Sequence, residues 1–171
     1  MENINNPLSL LPEFKQLSQL QGEKFLQFSL KKGINGLVSL AQLQGTIEIA
    51  LTDILPVPQI AQYWLGITNW QGEAIWILDL AQLLGAPNWC QQESIATSGM
   101  VILTAIENRT VGLLVKEVQG IKTYNSQACL PVAEVNTSAK MKSLFKGYFL
   151  NSNNEPSMVL NLDHLFYLLQ N

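Results

Sequence analysis

The sequence is poor in charge. Asp, Glu, Lys and Arg together make up 13% of its 171 residues, against a usual share of about 25%, so the wet surface has to be built from Gln, Asn, Ser and Thr. Such a surface is cheap to desolvate against another protein, which points toward interaction. Basic runs are missing too: a net charge of −3 and a pI near 5.1 leave nothing to neutralise a row of phosphates, which excludes nucleic acid as a main ligand. Lys31-Lys32 before Gly33, and Lys140 with Lys142 in a polar connection, read as solvated surface. Cysteine is scarce. Cys90 and Cys129 lie far apart without a CxxC, so neither a disulfide framework nor a zinc site is expected, and a reducing cytoplasm fits. No apolar run approaches the ~20 residues of a membrane helix, and MENINNPLSL lacks the positive and apolar regions of a leader, so no membrane insertion is expected.

Catalytic groups are equally sparse. The single His164 follows Asp163 in an amphipathic closing segment with no evident nucleophile, and there is no GxSxG, P-loop, HExxH or GxGxxG after a strand. Cys90 beside Trp89 has no motif around it. No catalytic residue, metal ligand set or cofactor is indicated, and a small hydrolytic or ligand-binding β-barrel would have only Trp and Asp residues to draw on, each with a structural explanation.

What is present is a strand-rich chain built around LGITNWQGEAIWILDLAQLLG, Leu65 to Gly85. Leu65 to Asn69 reads as a strand, Asn69-Trp70-Gln71-Gly72 as a turn, and Ala74 to Leu78 as a strand whose unbroken apolar run predicts cover on both faces. Asp79 is placed to N-cap a short helix over Leu80 to Leu84, stopped by Gly85. Upstream, Phe25 to Lys31 and Leu37 to Leu43 form a hairpin, Thr46 to Ala50 and Ile54 to Val57 are β-rich, and Pro56 and Pro58 lead Gln59 to Trp64 into a helical turn. Downstream, Met100 to Ile106 and Arg109 to Val115 flank Glu107-Asn108. Val118 to Tyr124 continues, and Asn125 to Ser138 is a polar connection with a strand near Cys129 to Val132. Leu144 to Leu150 and Ser157 to Leu162 make a last hairpin, and Asn161 or Asp163 caps the closing helix. Residues 1–24 form a tail with an apolar stripe, either folded back on its own domain or docking a partner, and 86–98 is a linker. Of the tryptophans, Trp76 is expected in the core and Trp64 beneath the proline-led turn, while Trp70 is open to packing or to a contact role.

The halves repeat. LVSLAQLQG (Leu37 to Gly45) matches GLLVKEVQG (Gly112 to Gly120) at an offset of 75, and ILDLAQLL (Ile77 to Leu84) matches VLNLDHLF (Val159 to Phe166) at an offset of 82. Two small pseudo-repeated barrels follow, one over about 25–85 and one over about 99–171.

The stretch VPQIAQYWLGITNWQGEAIWILDLAQLLG resembles the chemotaxis coupling protein family, CheW, with its VP-type turn, LxGxxNxRG segment and PVVDLxxxLG-like close. The order FLQFSL, LVSLAQLQG, central stretch, VGLLVKEVQG, LFKGYF and VLNLDHLF extends the likeness from Phe25 to Leu169. The resemblance implies two five-stranded SH3-like barrels, mainly β, in an adaptor without catalysis or cofactor. It implies as partners the cytoplasmic tip of a methyl-accepting chemoreceptor and the regulatory domain of a CheA-type histidine kinase, with partner-binding positions at Leu43, Gly45, Asn69, Trp70, Gln71 and Gly72. The Trp-rich stretch resembles coupling proteins of cyanobacterial type, which serve gliding, pili or phototaxis. Two positions depart from the pattern: Gln71 stands where the turn usually carries Arg, and Gly45 where Glu is usual. A module that binds kinase but not receptor is the alternative those departures allow.

Overall fold

The computed structural model describes residues 22–31, 34–85, 97–134 and 138–170. The tail over 1–21, the Lys32-Gly33 turn, and Trp89 and Cys90 in the linker lie outside them. Ten strands run in the order β1 (Glu23–Lys31), β2 (Ile34–Ser39), β3 (Leu43–Ala50), β4 (Trp64–Trp70), β5 (Glu73–Asp79), β6 (Ser98–Ile106), β7 (Arg109–Val115), β8 (Glu117–Tyr124), β9 (Phe145–Leu150) and β10 (Pro156–Leu160). Three helices join them: α1 (Leu80–Leu83), α2 (Ala139–Leu144) and α3 (Leu162–Gln170). The strands form two mixed five-stranded sheets, ordered β8-β1-β2-β10-β9 and β3-β6-β7-β5-β4.

The repeat is real but its two copies are interlaced. Matching β1 to β6, β2 to β7, β3 to β8, β4 to β9 and β5 to β10 converts one sheet order into the other, including the two parallel pairs, β2 with β10 and β7 with β5. Each sheet takes two strands from one copy and three from the other. The division into one barrel per half therefore does not hold: the second sheet is one continuous stretch from β3 to β7, nested between strands of the first. Each barrel is closed by one bridge from the chain just beyond its edge strand. Leu55 exchanges hydrogen bonds with Ile67 (2.8 and 3.0 Å), and Leu130, which lies 75 residues on, does so with Tyr148 (2.9 Å both ways).

In each bridge a glycine precedes the strand partner, Gly66 before Ile67 and Gly147 before Tyr148, and here the chains pass too closely for a side chain. At Gly66, whose φ is +139°, a Cβ would overlap the Leu55 carbonyl; at Gly147 it would sit 2.7 Å from the Leu130 carbonyl oxygen. The motif glycine of the LxGxxN segment is thus a seam residue.

The main hydrophobic core spans both sheets, with Phe28, Ile77, Leu78, Leu103, Leu113 and Leu144 among its fully buried side chains, and a smaller cluster of Phe25, Leu37, Phe149 and Val159 packs within the first sheet. Several sequence expectations need correction. Leu55 makes only a bridge where a strand was expected over Ile54 to Val57, as does Leu130 in the stretch near Cys129 to Val132. Gln59 to Trp64 passes through turns and no helix, Gln59 taking φ +61°. Lys140 and Lys142 lie on α2 and not in a loop. The closing helix is capped by Asn161, whose Oδ1 accepts from His164 N–H at 3.2 Å, while Asp163 pairs with Lys146 at 3.5 Å.

Candidate interaction site

The β4–β5 hairpin is a tight two-residue turn at Gln71-Gly72. Both residues have positive φ, +51° and +87°, the twist that matches paired strands. Asn69 fixes the turn, its Oδ1 accepting the Gly72 N–H at 3.3 Å. Asn69, Gln71 and Gly72 are exposed. Trp70 is not: it ends β4 opposite Glu73, half-buried and packed on the core, so packing accounts for most of its surface.

Leu43 and Gly45 lie at the start of β3, on the other edge of the same sheet. The ladder slips between them, pairing Leu43 with Thr104 and Gly45 with Leu103, and the extra residue, Gln44, accepts at Oε1 from Thr110 Oγ1 at 2.9 Å. Leu43 is half-buried, and no atom lies within 4 Å of where a Cβ on Gly45 would stand. Following the register, Leu43, Thr104, Val111, Trp76 and Ile67 form one row across the sheet. The Gln71-Gly72 turn projects beyond that row on the same side as the Glu107-Asn108 turn. The structure thus places Leu43, Gly45 and the Asn69–Gly72 turn around one rim, as two patches separated by the β6–β7 hairpin.

Asp79 is fully buried at the opposite end of β5. Its Oδ1 accepts from Gln82 N–H at 3.1 Å, capping α1 as expected, while Oδ2 has no partner among the described residues. Burial pushes this carboxyl above its ordinary value, and the backbone hydrogen bonds of Gln82 and Ala81 oppose the rise. A raised acid binds its proton more tightly folded than unfolded. The stability it confers is therefore complete below the unfolded value of 3.8 and falls as pH climbs through the folded one. Asp79→Asn, which keeps the capping oxygen, should flatten that fall, whereas Asp79→Ala should lose about 0.5–2 kcal/mol at neutral pH. Denaturant melts from pH 3 to 7 would decide it, and an Asp79→Asn profile parallel to wild type would refute the assignment.

One surface escaped the sequence reading. Trp76, expected in the core, is 38% exposed although Ile75 and Ile77 beside it are 1% and 0%. It meets Trp64 edge-on with ring centroids 5.6 Å apart, and the pair opens onto a groove roofed on one side by Phe166 and Leu169 of α3. His164 sits on α3 against Tyr167, ring centroids 6.1 Å apart. Cys129 is exposed, its thiol pushed up by partial burial. No set of three or more His, Cys, Asp or Glu is placed to hold a metal ion, and no helix is long and apolar enough to cross a membrane, among the described residues.

No curated protein sequence matches this chain. Among solved structures, its fold is similar to that of the scaffolding protein TtCheW from Thermoanaerobacter tengcongensis, with a TM-score of 0.68 and 16% identity over 82% of this chain and 89% of that one. The model of the CheW-like domain matches residues 24–170: the chain belongs to the CheW-like domain family.

Proposed function

We propose that the protein is a non-enzymatic adaptor that couples the cytoplasmic tip of a chemoreceptor to the regulatory domain of a CheA-type histidine kinase in a chemotaxis-like array, within the cytoplasm. The observation that carries this reading is the CheW-like match across 24–170 on a frame of two interlaced barrels. The exposed turn at Gln71-Gly72 and the β3 start at Leu43 and Gly45 are the surfaces proposed to meet the partners. The Trp-rich central stretch favours a motility or phototaxis system of cyanobacterial type. Co-purification of the full chain with a receptor tip and a kinase regulatory domain tests the coupling, and failure to bind either would remove the reading. Gln71 and Gly45, in place of Arg and Glu, favour a second reading in which kinase is bound and receptor is not. Retention of the kinase domain alone identifies that case.

These two positions also set the expected character of the interface. Gln71 offers neutral hydrogen bonds where a guanidinium would make charge-assisted ones roughly twice as strong, so affinity should change by less than about twofold between low and high salt. Gln71→Arg combined with Gly45→Glu should steepen the salt dependence and shift preference toward receptors of the commoner type. Both substitutions should fold, since Gln71 is exposed and the space at Gly45 is open. Calorimetric titration at two salt concentrations measures this; a steep dependence in the wild type would mean the turn is not the contact. Trp70→Ala should weaken binding by about 2 kcal/mol or more if it anchors a partner. It would remove core packing as well, which makes Gln71 the cleaner probe.

A further inference from the structure

The groove beside Trp76 shares no residue with Leu43, Gly45 or the Asn69–Gly72 turn, so what it does is separable from the adaptor reading. Its volume is about 840 Å³, its floor includes Val111 of β7, and its walls are Trp64 and Trp76 on one side and Phe166 and Leu169 of α3 on the other. A tryptophan pair of one exposed and one half-buried ring, flanked by aliphatic side chains, is the kind of surface on which binding energy concentrates. The charges are uneven. Glu73 and Glu107 stand at the turn end with Arg109 as the one cation lining the groove, while Ile60 and Trp64 at the far end bring no charge. No ion pair involves Glu73, Glu107 or Arg109 among the described residues, which leaves one net negative charge at that end for a ligand to answer.

The backbone narrows the choice of ligand. β5 and β7 are interior strands, hydrogen-bonded on both sides, so an extended peptide could not add itself to the sheet here and recognition has to run through side chains. That is the helix-in-groove mode, read as apolar residues at i, i+3, i+4 and i+7. We propose that this groove is a second docking surface, which takes an amphipathic helix of a partner protein with its apolar stripe on Trp64 and Trp76 and a basic end at Glu73 and Glu107.

The probe is an amidated helical peptide of about 16 residues, roughly 24 Å long, with Leu at those spacings and Lys at one end, titrated calorimetrically into the full-length protein. A second peptide carries Glu in place of Lys. The Lys peptide should bind at least about tenfold tighter than the Glu peptide, and Trp76→Ala should weaken it by about 30-fold. Because Trp76→Ala also removes packing, Glu107→Lys is the companion variant: it alters an exposed turn residue and should narrow or reverse the preference between the two peptides. Equal binding of both peptides, or a preference untouched by Glu107→Lys, would overturn the proposal.

Discussion

Gly66→Ala should be among the most damaging single substitutions in the chain, costing about 3 kcal/mol or more. Two penalties coincide at this residue. Its φ of +139° lies where side chains are strained, and the added methyl would collide with the Leu55 carbonyl that closes the barrel by accepting from Ile67 N–H. A backbone oxygen committed to a hydrogen bond cannot swing aside as a side chain can, so relief would require opening the seam. Gly85→Ala is the calibrating variant, with φ +81° but no atom within 4 Å of the new methyl; it should cost only about 1 kcal/mol, the conformational part alone. Urea melts of the two variants give the comparison directly. Equal stabilities would mean that the close approach at Gly66 carries no energetic weight.

Cutting the chain between Gly85 and Thr97 should leave two pieces that do not fold separately and do fold together. The cut separates the two copies of the repeat, yet it completes neither barrel. The first piece would hold β1 and β2 without β8 and β10, and β3 to β5 without β6 and β7. Each orphaned strand exposes a ladder of unpaired backbone groups and an apolar face, and neither is tolerable in water. Mixing the pieces in equal amounts should restore the native far-ultraviolet spectrum and a single cooperative melt, with a midpoint that rises with concentration as for any bimolecular assembly. A piece that melts cooperatively by itself would instead indicate barrels that are self-sufficient.

The elements written most plainly in the sequence are those fixed by local chemistry. β7 is read residue for residue as Arg109–Val115 because the Glu107-Asn108 turn that precedes it leaves no freedom of register; both residues take positive φ, +43° and +66°. The Asp79 cap is equally local. Misreadings arise where tertiary cover decides the outcome. The run Ala74 to Leu78 is uniformly apolar, yet Leu78 is fully buried while Trp76 is left partly wet, a difference no periodicity encodes. α2 went unread because a six-residue helix, AKMKSL, is too short to display a helical period in the sequence. The exchange of strands between copies is beyond a repeat comparison in principle. Matching Leu37–Gly45 to Gly112–Gly120 establishes equivalence between positions, and the same equivalence holds whether a strand pairs within its own copy or with the other. The rim positions, Leu43, Gly45 and Gln71, became visible only through a family resemblance, since an exposed polar turn has no chemical signature of its own.

The passage between barrels is very short. β7 ends at Val115 and β8 begins at Glu117, so Lys116 alone makes the crossing, and its N–H is tied to the Ser29 carbonyl at 3.0 Å. The other crossing, from β2 to β3, is a single tight turn over Leu40–Gln42. A link one residue long and hydrogen-bonded in the middle has no slack to absorb rotation. The molecule is therefore a stiff beam and not a hinge: partners seated on different barrels are held at a fixed distance and angle, and a torque applied by one is delivered undamped to the other.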